Sequence, residues 1–328
     1  VEAASYFGRL MDINQMLSFD MGGTTAKLCI IEDGRAARTR NFEVDRVHRF
    51  KAGSGLPAAV PVYDLLEIGA GGGSIARVND LGLLQVGPDS ASSEPGPASY
   101  GLGGSLPTVT DADLLLGYLN PDYFLGGQMR LDSSAAHSAV SDNLSDATGL
   151  TPIAAAAGVH ELVNENMASA ARMYVAEKGQ APSKLSLVAF GGAGPVHAVG
   201  LARKLGCPQV IVPPFSGVMS SLGLLAAPVA FERSRAVRQI VSALDLDAIE
   251  ATFGELEGEA SSLMPDDAPV LVRRSVDLRY SGQDHPLEIN TEGPCNDPDV
   301  KSDWEARFEA AYNELYGKVD DDNPVELA

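Results

Sequence analysis

The sequence predicts an α/β protein, and two observations carry that expectation. Three short glycine clusters, Gly22-Gly23-Thr24, Gly71-Gly72-Gly73-Ser74 and Gly191-Gly192-Ala193-Gly194, each follow an apolar, strand-like run. The last of them leads into a helical pattern and a further strand, and strand, glycine turn, helix and strand form the crossover unit that presents ligands at strand ends in α/β sheets. With 328 residues the chain is long enough to bury a large core.

The elements follow in order. A strand ending at Asp20, a β-branched strand from Thr25 to Ile31, an Asp33-Gly34 turn and a strand around Thr39 to Val44 read as an antiparallel meander. The Gly22-Gly23 turn between the first two fits a plain hairpin about as well as a phosphate loop. In the second reading its glycines let backbone N–H groups approach an anion closely. Thr24 and Thr25 then donate hydroxyls, Lys27 adds charge and Asp20 holds a magnesium ion directly or through water. Neither the P-loop lysine-serine pattern nor GxGxxG occurs, so a phosphate site here is of another type.

Residues 62 to 68 run into the Gly71 cluster, and Ile75 to Val78 and Leu83 to Val86 read as strands around an Asn79-Asp80 turn. Residues 87 to 107, rich in Gly, Pro and Ser, form a loop of a length more often functional than idle. A helix begins near Thr110 or Asp111, either of which serves as N-cap; Asp111 and Asp113 fit cation binding or capping, and capping is the simpler account. A long helix starts at Thr151-Pro152 and ends at Gly179, with Val159, Leu162, Val163, Asn166, Met167, Ala170, Met173 and Tyr174 at core spacing. Leu185 to Phe190 is a buried strand, Pro195 to Leu205 a helix closed by Gly206, and Gln209 to Val212 the next strand.

Charge divides the chain. Residues 240–328 hold 22 acids against 6 Lys and Arg, a large share of the net charge of −20, which places a domain boundary between 1–239 and 240–328. An acidic surface disfavours nucleic acid and anionic membrane as partners. No apolar run of spanning length and no signal peptide is visible, and the scattered Cys29, Cys207 and Cys295 lack disulfide or metal spacing, so a reducing, cytoplasmic setting is expected. His48, His137, His160 and His285 have no carboxylate or histidine at ligand spacing, and no transition-metal site is expected. Glu67 reads equally as a cleft acid and a strand-end residue, and His197 as a packing or capping histidine. The chain opens on Val1 within a helical pattern, as expected of a piece of a longer protein.

Several motifs together resemble the hydantoinase A and 5-oxoprolinase family, which includes N-methylhydantoinase A and the ATP-using subunits of acetone and acetophenone carboxylases. They are Phe19-Asp20-Met21-Gly22-Gly23-Thr24, Glu67-Ile68-Gly69-Ala70-Gly71-Gly72-Gly73-Ser74-Ile75, Glu94-Pro95-Gly96-Pro97-Ala98-Ser99-Tyr100-Gly101, Pro107-Thr108-Val109-Thr110-Asp111-Ala112, Phe190-Gly191-Gly192-Ala193-Gly194-Pro195-Val196-His197-Ala198 and Arg279-Tyr280-Ser281-Gly282-Gln283.

The resemblance implies an actin-like ATPase fold built from RNase H-like halves, with a mixed sheet, flanking helices and a partial α+β C-terminal region. In that scheme residues 1–239 form one half, and an earlier Asp-Gly-Gly-Thr loop has no counterpart before Asp20, so weak activity is expected of this piece alone. ATP and Mg²⁺ are the implied cofactors. Asp20, Glu67 and Asp111 take catalytic roles, with Asp20 on the metal. Gly22, Gly23, Thr24, Thr25, Lys27, Gly71, Gly72, Gly73, Gly191, Gly192, Ala193, Gly194 and His197 bind the cofactor. Ser99 stands where many members have Cys. The implied activity is ATP-dependent hydrolysis of a cyclic amide (a hydantoin, N-methylhydantoin or 5-oxoproline), in an oligomer with a hydantoinase B-like partner. Ketone carboxylation and a non-catalytic, actin-like nucleotide-binding module are the alternatives.

Overall fold

In the computed structural model, which describes residues 1–44, 56–265, 269–283, 286–320 and 323–328, the chain divides into two compact units, residues 1–227 and 228–328. The division falls somewhat before the charge step at residue 240. His48 and His285 lie outside the described residues.

The first unit is ordered α1 (Glu2–Met11), β1 (Gln15–Met21), β2 (Ala26–Glu32), β3 (Arg35–Ala36), β4 (Arg38–Val44), β5 (Leu56–Tyr63), β6 (Leu66–Ile68), β7 (Ser74–Val78) and β8 (Leu84–Ser90). It continues through α2 (Val109–Leu115), α3 (Ser133–Val140), α4 (Asp146–Thr148), α5 (Pro152–Glu177), β9 (Ser186–Phe190), α6 (Gly194–Leu205), β10 (Val210–Ile211) and α7 (Met219–Ala226). Its main sheet runs β10-β9-β1-β2-β3, with β6 also on β2. β1 pairs antiparallel with β2 and parallel with β9, so the sheet is mixed.

Period-two alternation along these strands builds two cores. Leu17, Phe19, Met21, Leu28, Ile30, Leu187 and Ala189 point to one face, where α5 supplies Val159, Val163 and Met167 and α6 supplies Ala198 and Leu201. Met16, Ile31, Val188 and Phe190 point to the other, against Ala3 and Ala4 of α1 and Met219 of α7. α5 starts as its sequence dictates: the Thr151 side chain accepts from Ala154 N–H and Pro152 occupies the first turn. α6 closes on the left-handed Gly206.

Three expectations are corrected. The meander does not continue through β4, which pairs with β5 in a separate two-stranded sheet; after β2 it continues only into the two-residue β3, and β6 also pairs with β2. The cap of α2 is Thr108, earlier than the expected Thr110 or Asp111. On α5, Met173 is 53% exposed and Asn166 is exposed, whereas Asn164 is buried. The buried stripe of that 26-residue helix therefore follows Val159, Val163, Met167, Ala170 and Tyr174 rather than every apolar position.

The second unit contains β11 (Gln239–Ile240), α8 (Leu246–Ser261), β12 (Arg274–Tyr280), β13 (Leu287–Thr291), α9 (Val300–Tyr316) and β14 (Val325–Leu327). Its antiparallel sheet, β11-β14-β12-β13, packs Val276, Leu278 and Tyr280 against Trp304, Phe308 and Tyr312 of α9. Arg274 is held by Glu250 (2.8 Å) and Glu257 (2.5 Å) of α8. Among the described residues no helix is long and apolar enough to cross a membrane.

Cys29 sits fully buried in the centre of β2, and burial pushes its thiol up to about 12. The thiol is therefore expected to resist alkylation by iodoacetamide at pH 8 in the folded protein and to react on unfolding. Mass spectrometry of peptides alkylated with and without denaturant checks this, and rapid native labelling at Cys29 would contradict the packing.

Candidate functional site

The site forms where β1 ends. Asp20 is half-buried at the end of the strand, and the chain turns through Gly22 and Gly23 with Gly22 N–H donating to Thr25 O (3.1 Å). Gly23 and Thr24 are exposed, and nothing lies within 4 Å of where a Cβ would sit on Gly22 or Gly23. The turn thus presents an open, side-chain-free surface beside a carboxylate. Register places Asp20 opposite Lys27, and Lys27 opposite Glu67, so the three stand in a row on one face of β1, β2 and β6. Lys27 Nζ lies 3.7 Å from Glu67 Oε1, with both side chains about half exposed. Such a pair is worth well under about 1 kcal/mol, so Lys27 can leave it for a more strongly charged partner.

The Gly191 cluster closes against this turn. Ala193 N–H donates to Met21 O (2.9 Å), and Gly191 N–H donates to Ser216 O (2.9 Å). Gly191 has φ +87°, and a Cβ there would lie 2.4 Å from Met21 O and 2.5 Å from Asp20 Oδ1. Glycine is therefore required both by the backbone conformation and by the closeness of the Asp20 carboxylate. Gly192 is exposed with open space around it, and Gly194 begins α6, whose N-terminal end faces the same region.

The Gly71 cluster plays a different part from the cofactor contact expected of Gly71, Gly72 and Gly73. All three are buried. Gly71 N–H donates to Ser74 Oγ (2.9 Å), Gly72 N–H to Gly22 O (3.0 Å) and Gly73 N–H to Gly23 O (2.6 Å), so these donors already have acceptors. A Cβ on Gly71 would lie 2.5 Å from Gly23 C and Thr24 N. The cluster is a buttress, bonded from beneath to the first turn. It is held in turn by Thr110, whose N–H and Oγ1 both donate to Gly72 O (2.7 and 2.8 Å).

Asp111, for which a catalytic role is expected, sits in a buried hydrogen-bond network at the start of α2. It is fully buried; Oδ1 accepts from Ser99 N–H (2.8 Å), and Oδ2 accepts from Ala98 N–H (3.2 Å), Thr108 N–H (2.9 Å) and Thr108 Oγ1 (2.8 Å). With Thr108 it makes a capping box that ties the long loop to α2. Three of the four donors go to Oδ2 and one to Oδ1, and the fully buried carboxylate is engaged by the loop and the helix start. Ser99, whose Oγ is buried without a hydrogen-bond partner, packs beside it.

His197 is fully buried in the first turns of α6, with Nδ1 2.9 Å from Asn164 Oδ1, and so lies beneath the loop rather than on its open surface. His160, which has no carboxylate or histidine at ligand spacing in the sequence, meets Asp113 in the structure. Asp113, His160 and His197 converge from α2, α5 and α6, three elements too far apart in sequence for any spacing rule to join them.

Residues 1–233 match the family model described as hydantoinase/oxoprolinase. The chain belongs to this family. The caprolactamase subunit alpha of Pseudomonas jessenii is 33% identical over 325 residues, covering 96% of this chain and 45% of that protein. The 5-oxoprolinase of Saccharomyces cerevisiae is 32% identical over 291 residues, covering 84% of the chain and 22% of that protein. A crystal structure of the ATP-dependent caprolactamase from Pseudomonas jessenii superposes with a TM-score of 0.82 at 29% identity, covering 99% of the chain and 47% of its own. A nucleotide-free structure of acetone carboxylase superposes at 0.75 with 26% identity, again over 99% of the chain and 47% of its own. The chain therefore spans about half the length, or less, of the curated relatives it matches. The fold is that of this ATPase-like group, with a mixed sheet and flanking helices.

Two substitutions separate positioning from support. Gly191→Ala is expected to cost at least about 2 kcal/mol, from the left-handed backbone and the contact with Met21 and Asp20. Asp111→Ala is expected to cost about 3 kcal/mol or more, because it strands several buried donors. Urea denaturation of both variants checks the magnitudes; an Asp111→Ala chain as stable as the parent would refute the structural assignment.

Proposed function

We propose that the chain contributes the second phosphate loop and the adenosine-side loop of an ATP site in an ATP-dependent cyclic-amide hydrolase. The observation that carries this reading is the meeting of three features at one place: the exposed Gly22-Gly23-Thr24 turn beside Asp20, the Gly191–Gly194 turn, and the N-terminal end of α6. Helix N-termini and glycine turns both favour phosphate.

The residues fit the cofactor. Asp20 offers a carboxylate at the strand end, suited to a hard cation such as Mg²⁺, and Thr24 and Thr25 offer hydroxyls next to it. Gly191 and Gly192 leave room that a side chain would fill. When bound, ATP supplies a γ-phosphoryl group for the carbonyl oxygen of the amide, which turns that oxygen into part of a leaving group and opens the carbon to water. In this scheme Asp20 would hold the cation, Lys27 would leave Glu67 for the phosphates, and the backbone of Gly22 to Thr24 would donate to them. Glu67, freed from Lys27, stands on the same sheet face as a candidate proton acceptor. The caprolactamase and acetone carboxylase relatives are subunits of larger enzymes, which supports a hydantoinase B-like partner for the hydrolytic step.

Ketone carboxylation is the second reading, favoured by the likeness to the acetone carboxylase beta subunit of Xanthobacter autotrophicus, 29% identical over 334 residues. One experiment separates the two: phosphate release by the full-length protein with its partner, measured with hydantoin, 5-oxoproline and caprolactam, and separately with acetone or acetophenone plus bicarbonate. Amide-stimulated turnover is expected. Stimulation only by ketone with bicarbonate would replace the hydrolase reading, and none with either would remove both. Asp20→Ala is expected to lower the stimulated rate by about two to three orders of magnitude with an unchanged circular dichroism spectrum.

A further inference from the structure

Beneath the α6 turn lies a group that the ATP reading does not use. Asp113 of α2 is 3% exposed, with His160 Nδ1 2.7 Å from its Oδ1 and His197 Nε2 3.1 Å from its Oδ2. The two imidazoles are nearly parallel, 4.7 Å apart with an interplanar angle of 18°, and the donor atoms of all three residues lie within 4.8 Å of one another. We propose that Asp113, His160 and His197 form a binding site for one divalent transition-metal ion of the Zn²⁺ class, tying α2, α5 and α6 together under the glycine turn.

Three observations argue for a metal over a shared proton. His197 Nδ1 is 2.9 Å from Asn164 Oδ1, the partner that fixes its proton on Nδ1 and leaves the Nε2 lone pair facing the carboxylate. A metal-ligating histidine characteristically has such an outer partner. Although close to Asp113, the fully buried Nε2 makes no hydrogen bond, so a proton there is poorly aimed at either carboxylate oxygen. A cation between the ligands satisfies the lone pair and the carboxylate together. Finally, the donor set is two imidazoles and one carboxylate, the borderline type that zinc-class ions take, with room for a fourth ligand on the side of His160, whose side chain is 13% exposed.

Tetrahedral Zn²⁺ with bonds of about 2.0–2.1 Å spaces its ligand atoms roughly 3.3 Å apart; the two histidine–carboxylate contacts are 2.7 and 3.1 Å, and all the donor atoms lie within 4.8 Å of one another. Tyr118, whose ring lies 4.9 Å from that of His160 at an interplanar angle of 42°, borders the same side.

The test uses the full chain, stripped with a chelator and reloaded with Zn²⁺ or Co²⁺. Elemental analysis after gel filtration is expected to give about one Zn²⁺ per chain, with a raised melting temperature. The Co²⁺ form is expected to show visible ligand-field absorption between about 500 and 650 nm at the intensity of a low-coordinate site. His160→Ala is expected to abolish the absorption, and Asn164→Ala to weaken Zn²⁺ binding about 10–100-fold. The unsubstituted chain needs no folding control: if it retains no metal and shows no Co²⁺ absorption, the three residues share a proton and the proposal fails. Full retention by a folded His160→Ala chain would also overturn it, because the ion would then lie elsewhere.

Discussion

The backbone of Met21, Gly22 and Gly23 is the constraint on which the rest of the site depends. These three residues accept hydrogen bonds from Ala193, Gly72 and Gly73 respectively, so one short turn is clamped between two glycine clusters that are far away in sequence. Beside the clamp two glycines are pressed against the turn: a Cβ on Gly71 or Gly191 would fall at about 2.5 Å or less from the turn's own atoms. Backbone groups this close are rigid and cannot drift. The turn therefore keeps its shape and its open surface while Asp20 is held at its edge.

Rigidity of that kind reaches outward by hydrogen bonding rather than by packing. Gly72 passes the constraint to Thr110 through a carbonyl that takes two hydrogen bonds, and Thr110 adjoins Asp111, which collects donors from Ala98, Ser99 and Thr108. The long Gly/Pro/Ser loop is thus fastened to α2, and α2 to the turn. Buried carboxylates usually cost free energy on desolvation; here the four donors offset that cost, and Asp111 acts as the knot of the loop.

The sequence made the main elements legible wherever one signal was strong and local. The strands at Leu17–Asp20 and Leu185–Phe190 and the helices at Pro152 and Gly194 carry continuous apolar content, a cap or a proline, and they appear at the expected residues. Less legible was what each glycine cluster does. All three look alike in composition, yet only Gly22–Gly23 and Gly192 present open surface, whereas Gly71–Gly73 are buried. Orientation of an N–H group depends on which backbone lies opposite it, and that is a tertiary fact. The same limit hid the meeting of Asp113, His160 and His197: three helices bring them together, and the intervals of 47 and 37 residues resemble no ligand spacing.

The two sides of the Gly191 turn meet different demands. Its open side carries Gly192, with no atom within 4 Å of where a Cβ would sit, whereas its buried side, one helical turn along α6, places His197 among Asn164 and Asp113. A polar group buried at the root of a loop is costly unless fully satisfied, and it then fixes the helix in one position more firmly than apolar packing does. His197, fully buried, links α6 to Asn164 of α5 and lies beside Asp113 of α2. A loop that must stay bare of side chains cannot hold itself by packing on that side; it is held from below, by backbone bonds to Met21 and by the polar cluster under α6.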